Sequence, residues 1–223
     1  MKRDPIQPGI DAVRHNWQLM LLLIGAAFVM VGSYYASPNA QQILATGKSW
    51  RGQIGPLFPA ISTPIATVLI PELMKRLILK ERSGRADLLF QVGFFALMGL
   101  LVDSFYQLLS IWFGAGTDPG TVITKIVVDQ LGFTPLLALP YGLLAFAWRD
   151  AGFRVSGAAA ALAGGEYTYQ FISRQLTGWT FWVPVVTAIY SLPADLQFWL
   201  FLFGQAAWSL VWVRMAAVSA KRR

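Results

Sequence analysis

The sequence predicts an all-α fold, a multi-pass transmembrane helical bundle of about five to six membrane helices, some Pro-kinked or partial. Three observations carry that expectation. Apolar residues are 56% of the chain against 13% charged, and the mean hydropathy is +0.52, which excludes disorder and sits poorly with a soluble globule. The apolar residues fall in long uncharged runs of the length a bilayer needs. The basic residues cluster in short segments between those runs, so the net charge of +7 reads as an orientation signal and not as a nucleic-acid surface. At 223 residues the chain is one compact unit, a single integral membrane domain over 1–223. The absence of cysteine excludes disulfides, thiolate metal sites and cysteine nucleophiles. The single histidine, His15, lies beside Trp17 in the N-terminal flank, a place for an interfacial residue rather than a ligand or base. No metal and no cofactor are expected.

Residues 1–16 are polar, broken by Pro5 and Pro8, and carry Asp4 and Asp11, unlike an acid-poor transit peptide. Trp17 to Ala36 has no charge over about twenty residues, enough for a first span that is retained and not cleaved. Gly25 and Gly32 share a face that would admit close packing. Ser37 to Gln53 reads as a polar link holding Lys48 and Arg51. Ile54 to Met74 is apolar but contains Pro56, Pro59, Pro64 and Pro71, tolerated in a span only where the freed backbone groups find partners. Ser62, Thr63 and Thr67 are the local candidates, and a broken or re-entrant helix over 54–74 is the alternative. Glu72 precedes a basic hinge of Lys75, Arg76, Lys80, Arg82 and Arg85, the strongest cytoplasmic or matrix-side signal.

Leu88 to Phe113 is the third span. Asp103, Tyr106 and Ser110 form a stripe along it, with Gln107 alongside, and such a stripe must face protein or water. Gly114 to Gly120 is a turn without basic residues, as expected on the opposite side. The next run ends at Trp148 and carries Lys125, Asp129 and Gln130 inside it. Lys125 and Asp129 are placed on one helix face, with Asp129 roughly 10 Å deep at about 1.5 Å per residue. Such a pair is either a neutralised tie between helices or the polar lining of a path, because isolated charges at this depth are costly. Pro135 and Pro140 free the carbonyls of Leu131 and Leu136 and predict a kink.

Gly152 to Gly165 is too short and small to span and reads as a tight-packing or interfacial helix. Trp179 to Leu192 is apolar with a kink expected at Pro184, and Leu196 to Val213 is a last strong run on which Gln197, Gly204 and Gln205 share a face. If 177–192 crosses, six passes place both termini, the 75–85 hinge and the 149–174 link on the cytoplasmic or matrix side, leaving Lys48 and Arg51 opposite. Trp17, Trp112, Trp148 and Trp179 near run ends fit an interfacial belt.

The spacing Lys125, Asp129-Gln130, Pro135 resembles the motif of the family named after Mpv-seventeen and the twenty-two-kilodalton peroxisomal membrane protein. Upstream, Gly99, Phe105, Tyr106 and Leu109 match a second family motif, with Leu100 in place of its proline and Asp103 in place of its histidine. Trp179 and Trp182 look like its paired tryptophans, and Pro193 and Trp208 like its later proline and tryptophan. The family's Gln and Asn before Pro193 are missing, and Gln197 stands where it has Arg. The resemblance covers 85–215, with 1–55 as an N-terminal extension carrying the first span. It implies a helical bundle acting as a weakly selective pore for small solutes, linked to membrane potential and oxidative stress. With no targeting sequence evident, the expected location is a bacterial inner membrane, with the mitochondrial inner or peroxisomal membrane as the alternative.

Two functions follow. Asp103, Tyr106, Ser110, Lys125, Asp129, Gln130, Gln197 and Gln205 would line a channel for small solutes or ions. The alternative is a non-catalytic scaffold or assembly factor in which the same cluster fixes helix pairing. An intramembrane enzyme is not expected: one flanking histidine leaves only carboxylates, and Lys125 beside Asp129 opposes a shared-proton dyad with Asp103. The expected partners are the bilayer, small solutes and, for an oligomer, further copies of the chain.

Overall fold

The computed structural model describes residues 6–221 and is 87% helix, with no strand among the described residues. Expectations about residues 1–5 and 222–223, and about the side chains of His15, Lys48 and Lys221, lie outside the described residues. The helices are α1 (Gln7–Ala36), α2 (Pro38–Ile54), α3 (Leu57–Pro64, continued by Ile65–Leu69 and Ile70–Leu79), α4 (Arg85–Phe113), α5 (Pro119–Asp150), α6 (Val155–Ala161), α7 (Glu166–Tyr190) and α8 (Ala194–Lys221). Among the described residues three helices are long and apolar enough to cross a membrane: 57–77 of α3, α4 and α5; the apolar stretch 20–36 of α1 is shorter.

Helix α1 packs along α7 and α8, α3 along α4, and α5 against α7. The tightest packing is where α7 and α8 meet α4: Phe181, Val185, Ile189, Phe198 and Leu109 are fully buried there. Helices α4 and α5 run antiparallel, joined by aromatic rungs: Phe105 stacks on Phe133 at 4.2 Å, Phe94 on Tyr141 at 4.7 Å, and Phe90 meets Phe146 edge-on at 5.5 Å. The outward faces carry large apolar side chains, with Leu22, Leu89, Ile111 and Leu136 (79% exposed) among them. A continuous apolar exterior suits lipid contact better than water.

Proline-rich stretches do not break the chain. Helix α3 continues through Pro64 by a π-helical turn over Ile65–Leu69, and α5 does the same over Asp129–Ala138 around Pro135. A proline cannot donate to the carbonyl one α-turn back and its ring collides with it; the wider π-turn relieves both. Within 54–74 the chain therefore turns at Gly55–Pro56 and runs on as one helix from Leu57, so the break expected at the inner prolines is corrected. Ser62 and Thr67 hydroxyls donate to the Phe58 and Thr63 carbonyls at 2.7 and 2.8 Å, not to those that Pro64 and Pro71 free, and Thr63 Oγ1 has no partner. Pro140 sits in the first turn after the α5 π-segment, whereas Pro184 lies inside α7, which runs on as an α-helix through it.

Three further expectations change. The 37–53 link is helical: Ser37 Oγ accepts from the Ala40 N–H at 3.4 Å, Pro38 occupies the first turn, and the helix carries Gly47 and Gly52 before ending at Gly55, whose φ is 59°. The helix that holds 177–190 begins at Glu166, because its polar first half has ordinary helix propensity that hydropathy does not register. Gly25 and Gly32 face open space, so they are not a packing seam; that role belongs to Gly99, where a Cβ would overlap the Thr63 side chain and the Pro59 carbonyl.

Candidate functional site

The helices enclose a cavity of about 1180 Å³ between α3, α4, α5, α7 and α8. Its closed end is polar. Asp129, the first residue of the α5 π-segment, accepts three hydrogen bonds: from Tyr190 Oη at 2.5 Å, from Thr134 Oγ1 at 3.1 Å and from Gln130 Nε2 at 3.3 Å. Tyr190 comes from α7 and meets Tyr106 of α4 edge-on at 5.4 Å, so three helices converge on one carboxyl group. The π-turn allows this, since it rotates the residues after Asp129 out of α-register and brings Thr134, not Phe133, under the carboxylate. Trp179 Nε1 donates to the Gln130 carbonyl at 3.3 Å, a backbone group the same π-turn exposes.

The walls are aromatic and aliphatic, with Trp182, Phe201 and Trp208 on one side and Phe133, Leu143 and Phe146 on the other. The mouth lies where α3 ends, α4 begins, α5 ends and α7 begins, and it is charged. Arg149 bridges Asp87 at 3.1 Å and Asp150 at 2.6 Å and stands 4.6 Å from the Phe146 ring centroid. Glu72 accepts from Arg76 at 2.9 Å and from Ser83 Oγ at 2.8 Å. From Asp129 to Arg149 along α5 is about 30 Å at 1.5 Å per residue, so the cavity extends over most of a bilayer's thickness.

The predicted cluster divides. Tyr106, Asp129, Gln130 and Gln205 line the cavity; Asp103, Ser110, Lys125 and Gln197 do not. Asp103 is held by Arg51, whose Nη2 donates to Oδ1, and by Gln107 Nε2 at 2.8 Å. Arg51 also donates to the Asp195 carbonyl at 3.3 Å, tying α2 to both α4 and α8. Ser110 turns its hydroxyl back to the Tyr106 carbonyl at 3.0 Å, and Gln197 Nε2 donates to the Leu192 carbonyl at 2.9 Å. Lys125 is the largest departure: it is fully buried, its Nζ has no hydrogen-bond partner, and it forms no ion pair with Asp129. Position on one helix face brings two Cβ atoms near each other but does not fix where long side chains end. Trp179 also leaves the interfacial belt, since it reaches into the bundle.

Sequence reasoning missed Arg51, Thr134, Gln175 and Tyr190. Gln175 is 8% exposed, lines the cavity one turn nearer the mouth than Trp179, and both its amide atoms lack partners. Gln175 sits among the polar residues of the first half of α7, where one more amide carries no signal; nothing local marks Tyr190 as the partner of an acid on another helix. Among the described residues no group of acidic or histidine side chains could hold a metal ion. No family model, curated protein or solved structure matches this chain.

Proposed function

We propose that the chain is an integral membrane protein whose cavity is the vestibule of a weakly selective pore for small solutes, serving membrane homeostasis without a catalytic step. The observation that carries this reading is the cavity itself, which runs from the exposed Asp150 down to the buried Asp129 and meets unpartnered polar atoms on Gln130 and Gln175. Packing alone has no use for such atoms, since a buried amide without partners costs about 1–3 kcal/mol. Six helices of bilayer-spanning length, α1, α3, α4, α5, α7 and α8, support six crossings, with both termini at the mouth end. The basic hinge at that end favours the cytoplasmic or matrix side, and a bacterial inner membrane fits best, an organellar one being the alternative. The resemblance to the Mpv-seventeen family points the same way, since Asp129 and Gln130 of its motif both line the cavity.

Below Asp129 the bundle is closed by the Tyr190 and Tyr106 contacts and by the core around Lys125, so conduction requires these to part. One observation favours the scaffold reading instead: all three bonds to Asp129 and the Arg51–Asp103 pair are internal ties between helices or turns. The two readings separate in proteoliposomes. Glycerol and potassium flux above empty liposomes, reduced by Gln175→Trp in the cavity wall, is expected for the pore. Flux equal to that of empty liposomes in folded protein would establish the scaffold.

A further inference from the structure

We infer that the closed end of the cavity is a binding site for an apolar organic amine in its ammonium form, recognised by Asp129, Gln130 and Gln175 within an aromatic wall. The inference rests on reading the cavity as a space for solute, and it names the class of solute. The charge balance selects a cation. At the mouth the lining acids Glu72, Asp87 and Asp150 are offset by the lining bases Lys75, Arg149 and Arg174, with Arg149 bridging both Asp87 and Asp150. Among the described residues, Asp129 is the only formally charged side chain lining the closed end of the cavity, and Lys125 neither lines it nor pairs with it.

Hydrogen-bonding capacity points to a donor-bearing ligand. An ionised carboxylate offers about four acceptor positions, and three on Asp129 are filled by Tyr190, Thr134 and Gln130. The Gln130 Oε1 beside it is 5% exposed as a residue and has no donor at all. These two acceptors fit an ammonium N–H group. An anion would meet a carboxylate there, and a neutral alcohol would leave its charge uncompensated. The wall supplies the rest: Trp179 and Trp182 belong to the residue types that best hold a cation over a ring face, and apolar side chains between them and the mouth fit an alkyl or aromatic body. Gln175, one turn mouthward, has both a free donor and a free acceptor for a second polar group on that body.

The test uses the full chain in detergent and three probes of one shape: 2-phenylethylamine hydrochloride, 2-phenylethanol and phenylacetate, each titrated calorimetrically. The expected order is ammonium over alcohol by at least about tenfold, as for one charge-assisted hydrogen bond, with no binding of phenylacetate. Asp129→Asn keeps the shape and one acceptor and should lower ammonium affinity by about tenfold or more; Gln175→Leu, which removes no existing bond, should leave it unchanged, because this probe carries no second polar group for Gln175. Equal binding of the three probes, or an ammonium affinity unchanged in Asp129→Asn, overturns the inference. If Asp129→Asn does not fold, the probe series on the unaltered chain still decides. Failure here with glycerol flux intact removes the amine site and leaves the pore; ammonium binding without flux keeps the site and removes the pore.

Discussion

Asp129 and Lys125 lie one helical turn apart and have opposite fates. Asp129 accepts from three donors while Lys125 Nζ has no hydrogen-bond partner, so changes at the two sites should move stability in opposite directions. Tyr190→Phe removes the shortest of the three bonds and should destabilise the fold by about 1.5–3 kcal/mol, the range for hydrogen bonds to charged groups. Lys125→Met keeps the length of the side chain and removes an ammonium without a partner, and should stabilise by about 1–3 kcal/mol. Denaturant titration followed by tryptophan fluorescence checks both; a loss of stability in Lys125→Met would mean the ammonium has a partner. Arg51 and Asp103 should show a coupling of about 1–3 kcal/mol in a double-mutant cycle, as neither side chain is more than 18% exposed. Asp118, outside the membrane-spanning part, caps α5: the Thr121 N–H at 3.0 Å holds its carboxyl below the usual Asp range. A depressed value stabilises the folded state above the ordinary Asp value of about 3.9, and that contribution is lost as pH falls through the lower folded value. Amide protection in the first turn of α5, taken relative to the intrinsic exchange rate at each pH, should therefore fall at acid pH, and Asp118→Ala should show the lower protection already at neutral pH.

At the scale of elements, α3 and α5 show what sequence periodicity can and cannot carry. Their existence was legible from apolar length, and the prolines marked where they would depart from α-geometry. The form of the departure was not legible, because a proline states only which donor is missing and not whether the helix breaks, kinks or widens. The widening matters to function, since it places Thr134 and the Gln130 carbonyl at the site. The α3–α4 contact depends on Gly99, and Gly99→Ala should cost about 1–3 kcal/mol through overlap with the Pro59 backbone. Gly25→Ala, facing open space, should be neutral or slightly stabilising in the same unfolding assay. Helix α2 escaped the sequence reading for a different reason. Hydropathy detects membrane runs, and α2 is a polar helix whose signature was the Ser37-Pro38 cap.

For the whole molecule, the all-helical, apolar character was written in composition and run length. The site was half legible: Tyr106, Asp129, Gln130 and Gln205 line the cavity, while Asp103 and Lys125 serve elsewhere. What separates the two sets is rotation and reach about packed helices, set by contacts such as Tyr190 to Asp129 and Phe105 to Phe133 that join residues distant in the chain. The central claim is that water and small solutes enter the bundle from the basic end as far as Asp129. The absence of cysteine makes the direct measurement clean. Thr134→Cys and Gln175→Cys place single thiols on the cavity wall, and Leu109→Cys places one in the dry core away from it. In sealed vesicles with the basic end outward, a charged, membrane-impermeant thiol reagent should modify the first two and leave Leu109→Cys untouched. Protection of both cavity thiols in folded protein would contradict the account and make the Asp129 network a tie between helices.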